Sequence, residues 1–540
     1  MSIITIATFV GMGLIYALLS AVLVLKKNKL VTLVILLVVT GFLYYKFKLS
    51  FYPNITLYSI LPGVILGILF GASKKEAPIK PFFDLPFRTN KGQKIIRNIY
   101  RGILVFGGAG SGKTDSVLNV IMNWLGANNI KTFAHDYKDG ELTEMLIPIY
   151  GDKLKIFAIH RSEITAKINI LDKKYIQETT DIRAIMQTLI YGLTEFDANK
   201  NGGNIYFYNG AVGIITGVVV IFKKRYPQYC TLPHVASFIL NNDFSEDVIT
   251  EQGIINLPFN KLVRFLKSDD EAMAQASDFI FSAGSVRTAS SILSTLSGGL
   301  NKIAFPKYSW ALSENEVNLD INHPDNPYSI VVLNKPKDAS ILSPVLTTIF
   351  QIATNQMSDR GRNNSCLLID EAAQFKLKNM GTIVSTMRSF NIATVYCTQD
   401  LAQGLKNYSQ EEFNEIIANL STQFFGKANY PRQAKFYEEY FEPKNILNKS
   451  TSSKGEGDIF ASGKSTTLSE REVKKVRAHE FLRFQTGQFA FLSDGKSDVI
   501  RFPKPNIIRA KLPEKDNIEM LILSNHNRII QEAKKIGESI

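Results

Sequence analysis

The stretch Ile103 to Thr114, ILVFGGAGSGKT, constrains this chain more than any other. An apolar run of strand type enters a glycine-rich turn, and the turn opens into a helix-compatible segment, Asp115 to Trp124. The spacing GxxxxGK[ST] is met by Gly107, Gly112, Lys113 and Thr114, in the strand-loop-helix setting of a phosphate-binding loop. Gly107, Gly108, Gly110 and Gly112 free the backbone to turn consecutive amides inward, so Gly107 to Asp115, with Ala109 and Ser111 inside it, is the expected nucleotide-binding set. Lys113 then supplies a cation for the β and γ phosphates of ATP, and the Thr114 hydroxyl is the expected ligand of its Mg2+.

A second apolar strand, in Ser365 to Glu371 (SCLLIDE), closes in two carboxylates. Alone, this is also how an ordinary strand meets solvent. In a chain with a phosphate loop, Asp370 is the candidate holder of Mg2+ and Glu371 the candidate base for the attacking water. A further strand, Ala393 to Thr398, ends in Gln399, the candidate sensor of the γ phosphate; local hydrogen bonding at a strand end would explain that glutamine almost equally well.

Around these motifs, strands at Lys131–His135 and Leu154–Ile159 alternate with helical segments, the pattern of parallel strands joined by crossover helices. The expected fold class is α/β: a RecA-like P-loop ATPase domain from 95–175 and 314–510. Between them, 176–313 turns to helical periodicity (DIRAIMQTLIYGL, FYNGAVGIITGVVVIFKK, VRTASSILSTLSGGLNKI) and reads as an inserted all-α domain. The polar stretch Lys449 to Thr466 reads as a mobile loop, and 511–540 as a helical tail that caps the α/β domain or docks a partner.

The N-terminus carries apolar runs at 3–25, 30–45 and 55–72, of spanning or near-spanning length, so three transmembrane helices are expected, or two if the last, with Pro62, Gly63 and Gly67, is re-entrant. A cleaved signal is disfavoured, since no basic segment precedes the first run. Lysines at 26, 27, 29, 74 and 75 against 46 and 48 support a cytoplasmic ATPase on a multi-pass inner-membrane anchor. Residues 73–94, proline-broken and polar, read as a linker. The formal charge is +13, but the first 72 residues hold five lysines and no acid, which leaves 57 basic against 49 acidic residues beyond them. That excess suits contact with a nucleic-acid backbone more than base readout. Three distant cysteines read as buried free thiols, and six scattered histidines offer no metal-ligand spacing.

The order GGAGSGKT, HDYKDGEL, KINIL, VRTASSILSTLSGGL, SIVVLNKP, LLIDEAAQF, MRSFNIATVYCTQD and IIANLSTQFFGKANYPRQAKFYEEYF resembles the coupling-protein family of type IV secretion and conjugation systems. The resemblance implies a membrane-anchored ATPase that recruits a DNA-protein substrate and drives its transfer by ATP hydrolysis. Its expected partners are single-stranded DNA bound without sequence preference, a relaxase or other secreted protein, and the secretion channel, and its expected active form is a homo-hexamer. It assigns Arg388 as the arginine that reaches a neighbouring subunit, beside Lys113, Thr114, Asp370, Glu371 and Gln399 in their roles above. Departures are a third span, a short external loop, and HDYKDGEL in place of a proline and a compact KGE. A membrane-anchored DNA pump for segregation, and a receptor for secreted proteins, are the competing readings.

Overall fold

The computed structural model describes residues 79–540 except 197–203, 251–252, 327, 375, 378, 454–463 and 515–516; the expected spans at 3–25, 30–45 and 55–72 lie outside them. Its centre is a nine-stranded sheet. In chain order the strands are β1 (Leu85–Thr89), β2 (Gly92–Ile96), β3 (Ile103–Phe106), β4 (Lys131–Asp136), β5 (Leu154–Phe157), β6 (Glu246–Thr250), β7 (Gly253–Leu257), β8 (Ser329–Leu333), β9 (Ser365–Ile369), β10 (Ile392–Thr398), β11 (Thr422–Phe425), β12 (Pro443–Ser453), β13 (Lys464–Lys474), β14 (Gln488–Ser493) and β15 (Lys496–Arg501). The sheet runs β15-β14-β11-β3-β10-β9-β4-β8-β5. All pairings from β11 to β5 are parallel, and β14 and β15 extend the sheet as an antiparallel hairpin.

Every residue of β3, β8, β9, β10 and β11 is buried, as continuous apolar strands covered on both faces require. Alternation splits them between two cores: Leu104 and Phe106 join one, Ile103 and Val105 the other. Cys230, Cys366 and Cys397 are buried and free, as expected.

Between β5 and β8 the chain is mostly helical. Its axis is the helix Ile205–Arg225, buried at every position from Gly210 to Phe222 and packed on the helices Thr179–Leu193, Asp270–Gln275 and Val286–Leu300. Among the described residues this is the one helix long and apolar enough to cross a membrane, and its burial within the fold accounts for its apolar sequence. A Cβ on Gly213 would lie 2.4 Å from the carbonyl oxygen of Gln275, so this glycine is what admits the neighbouring backbone.

Four expectations need correction. The 176–313 segment is not wholly helical, because β6 and β7 pair as an antiparallel hairpin within it. The linker expected at 73–94 is folded from Leu85 onward: β1 pairs with β2, Leu85 and Phe87 are buried, and the Phe87 ring stacks on Phe502 at 5.4 Å. Its prolines and charges hid two inward-facing apolar residues at strand spacing. Lys449–Ser453 and Lys464–Thr466, expected in a mobile loop, lie in the paired strands β12 and β13; serine and threonine tolerate an antiparallel ladder when a partner strand is next in sequence. The tail helix Glu519–Glu538 caps the helical segment and not the sheet: it packs on Leu232–Asn241 and Pro306–Leu312, burying Ile522, Ile529, Ala533 and Ile536.

Candidate active site

Parallel strands deliver their C-terminal ends to one edge of a sheet, and here β3, β10, β9 and β4 are consecutive neighbours. The sheet therefore brings the glycine loop after β3, Gln399 after β10, the acid pair after β9 and the HDYKDGEL loop after β4 to one place.

The glycine loop is braced from outside. The Gly108 amide donates to the Lys427 carbonyl at 2.7 Å, the Gly487 amide to the Ser111 carbonyl at 2.9 Å, and the Thr486 hydroxyl to the Gly110 carbonyl at 2.9 Å. Two glycines sit tightly in this packing. A Cβ on Gly108 would lie 2.0 Å from Asn429 Oδ1, and Gly112 combines φ 85° with a Gly487 nitrogen 2.9 Å from where its Cβ would stand. Lys113 is buried and its ammonium donates to the Gly107 carbonyl across the loop at 2.6 Å. The first turn after the loop, Lys113–Leu118, is a π-turn that passes into the helix Asn119–Ala127. Asp115, placed by sequence in the nucleotide set, pairs with Arg509 at 3.2 Å.

Asp370 and Glu371 are both buried. Burial first, and then the charge of Glu371, push the Asp370 carboxyl up from the ordinary range, while Lys138 and Lys113 oppose the shift. A divalent cation would reverse that balance. His135 on β4 stands behind the pair, with Nδ1 2.9 Å from the Asp370 carbonyl; burial pushes its imidazole down to about 4, so the neutral ring donates through Nδ1 and accepts from Asn334 at 3.4 Å through Nε2. Glu371 has φ 47°, a left-handed conformation that costs a residue with a side chain about 1–3 kcal/mol and is held here by its surroundings. Gln399 donates its amide to Glu371 Oε1, so the two residues expected to act together touch.

The donor set fits a magnesium nucleotide. Ser111 Oγ and Asp370 Oδ1 are buried with no hydrogen-bond partner among the described residues, at the loop that would cradle phosphates and at the carboxylate that would hold the ion. Lys113, Asp370, Glu371 and Gln399 converge; Arg388 does not. It is exposed on the turn Arg388–Phe390 that precedes β10, with no carboxylate partner among the described residues. At about 3.3 Å per residue, β10 puts it roughly 20 Å from Gln399 at the strand's other end. Sequence reading missed the bracing residues Thr486 and Gly487, which lie over 300 positions from the loop and belong to no motif singled out above. It also gave Lys138 no task, although HDYKDGEL stood out as a departure.

A glycine loop leaving β3, an acid pair on β9 two strands along and a polar residue on β10 between them define a P-loop NTPase with a RecA-like sheet. Residues 72–496 match the family described as Type IV secretory system Conjugative DNA transfer, and the chain belongs to that family, the coupling proteins of type IV secretion. No curated protein matches its sequence. Solved structures agree on the fold. The bacterial conjugative coupling protein TrwBdeltaN70, in its unbound monoclinic form, is 12% identical with a TM-score of 0.60, over 82% of this chain and 92% of that one. The plasmid coupling protein TrwB in complex with ADP and Mg2+ is 12% identical with a TM-score of 0.56, over 76% and 87%. TrwB with a non-hydrolysable ATP analogue gives 12% and 0.58, over 81% and 98%.

Proposed function

We propose that this chain is a membrane-anchored coupling ATPase that binds ATP with Mg2+ and uses its hydrolysis to move a DNA-protein substrate into a type IV secretion channel. The observation that carries the reading is the meeting of Lys113, Asp370, Glu371 and Gln399 at one sheet edge, with buried oxygens on Ser111 and Asp370 that have no hydrogen-bond partner among the described residues. The glycine loop and Lys113 bind the phosphates, and the Thr114 hydroxyl and Asp370 would hold Mg2+, directly or through its water shell. Bound there, the ion supplies charge neutralisation on the phosphate oxygens. Glu371 orients the attacking water and takes its proton, and Gln399, hydrogen-bonded to Glu371, reports the γ phosphate to β10.

The apolar runs at 3–25, 30–45 and 55–72 form the multi-pass anchor in the inner membrane, with the ATPase in the cytoplasm. Arg388, unable to reach its own site, acts on that of the next subunit in a homo-hexamer. The soluble positive excess binds the backbone of single-stranded DNA, and a relaxase or other secreted protein is the co-substrate.

The test is steady-state ATPase of the full-length chain in detergent, with and without single-stranded DNA, across salt concentrations, with Lys113→Ala as control. Turnover that rises with DNA of any sequence and falls with salt is expected. Stimulation by a protein substrate alone would favour a receptor for secreted proteins, and unchanged turnover in Lys113→Ala would remove the reading.

A further inference from the structure

The loop Tyr137–Leu142, where the sequence departs from the family it resembles, is built around one carboxylate. Asp136 is fully buried and accepts from the backbone amides of Lys138 at 3.1 Å, Leu142 at 3.0 Å and Thr143 at 2.8 Å, and from the Thr143 hydroxyl at 2.7 Å. Both ends of the loop are thereby tied to the end of β4. Between them Asp139 (φ 54°) and Gly140 (φ 119°) turn the chain, and the Asp139 carboxylate is gripped by His160 at 2.7 Å and Arg161 at 2.9 Å. A loop fixed at three points has little freedom in where it sends its side chains.

It sends Lys138 over the acid pair. The ammonium lies 3.7 Å from Glu371 Oε1 and 3.2 Å from Glu141 Oε2, so one acid of the loop anchors it and one acid of the site receives it. The Gln399 amide reaches the same Oε1 from the β10 side. One hydrogen bond from Gln399 and one ion pair with Lys138 thus meet on the same oxygen of Glu371 and hold it from two sides. Glu371 needs such help, since its left-handed backbone is not an intrinsic preference of its residue type.

We propose that Lys138 is a positioning residue for ATP hydrolysis: held by Glu141, it clamps Glu371 Oε1 together with Gln399 and so presents Oε2 to the attacking water. The inference rests on the reading of Glu371 as the base. Lys138 acts through Glu371, so its loss should lower turnover and leave nucleotide binding, which the glycine loop performs, intact.

The full-length protein in detergent is assayed as wild type, Lys138→Ala, Lys138→Arg, Glu371→Gln and the Lys138→Ala/Glu371→Gln pair. Steady-state turnover, nucleotide affinity and melting temperature are measured, with single-turnover release of labelled phosphate for the slow variants. Misplacement of a catalytic group by about 1 Å can cost on the order of 100-fold. Lys138→Ala is therefore expected to lose about 10- to 100-fold in kcat with KM for ATP changed by less than about threefold, and Lys138→Arg to recover most of it. In the Glu371→Gln background, Lys138→Ala should cost nothing further, because the carboxylate it clamps is gone. Wild-type kcat in Lys138→Ala, an equal loss of affinity, a full additional loss in the double variant, or no rescue by arginine in a protein of unchanged melting temperature would each overturn the inference. Those results leave wild-type ATPase intact, whereas a wild-type chain that hydrolyses no ATP removes the functional reading and this inference with it.

Discussion

Replacing Glu371 by glutamine separates chemistry from binding at this site. The substitution keeps shape and keeps an Oε1 that accepts from Gln399, so the buried geometry should persist. What disappears is a base. General-base catalysis typically contributes about 10²- to 10⁴-fold, which at about 1.36 kcal/mol per decade is roughly 2.7–5.4 kcal/mol of barrier. Nucleotide affinity should hold or rise, since the glycine loop, Lys113 and Asp370 are untouched and one negative charge leaves the pocket. Stability should not fall: the variant removes like-charge repulsion between neighbouring buried carboxylates, which is one of the forces pushing the Asp370 carboxyl up. The assay is single-turnover phosphate release beside fluorescent-nucleotide titration and a melting curve on the full-length protein. Turnover within about threefold of wild type, or affinity lost in proportion to turnover, would refute the assignment of Glu371 as the base.

Three further outcomes are expected. Asp370→Asn should raise the Mg2+ concentration needed for half-maximal ATPase by about tenfold or more, read from a magnesium titration at saturating ATP, whereas Glu371→Gln should leave that midpoint in place. Arg388→Ala should lower turnover by about 10³- to 10⁵-fold, and mixing it with Lys113→Ala subunits should restore part of the activity, because some boundaries then pair an intact loop with an intact arginine; normal turnover in Arg388→Ala alone removes the trans role. Burial holds the His234 and His526 imidazoles below their ordinary range at the seat of the C-terminal helix, where His234 meets Glu532 of that helix and His526, on the helix, meets Ser309. Unfolded histidines take up protons below about pH 6.5 while these resist, so stability present at neutral pH should be lost as pH falls from 7 towards 5. Glu532, whose carboxyl is held low by His234 and Arg528 against burial, adds a loss of the same sign only at lower pH. The melting temperature of a His234→Gln/His526→Gln variant should fall less over that range than the wild type's.

Local chemistry made much of this legible. The strand in ILVFGGAGSGKT, the turn and the following helix each follow from neighbouring residues, as does the strand in SCLLIDE, and continuous apolar runs announced strands buried on both faces. The errors arose where composition was read without a partner. Leu85 and Phe87 lie among prolines and charges that resemble a tether, yet a ring four hundred positions away, Phe502, packs on Phe87. The serines and threonines of β12 and β13 carry no apolar alternation, so only their mutual backbone pairing made them strands.

The sequence by itself determined that a phosphate-binding loop, an acid pair and a polar strand end are present, because each depends on residue types within a few positions of one another. Only the tertiary structure decided that they form one site, since this requires β3, β10, β9 and β4 to be neighbours, and strand order depends on packing across the whole sheet. It also decided that Lys138 faces Glu371 across 233 positions of sequence, that Thr486 and Gly487 brace the glycine loop, and that Arg388 lies at the end of β10 opposite Gln399. Such contacts leave no local signature, because the energy that selects them is gained only when distant segments are already packed together.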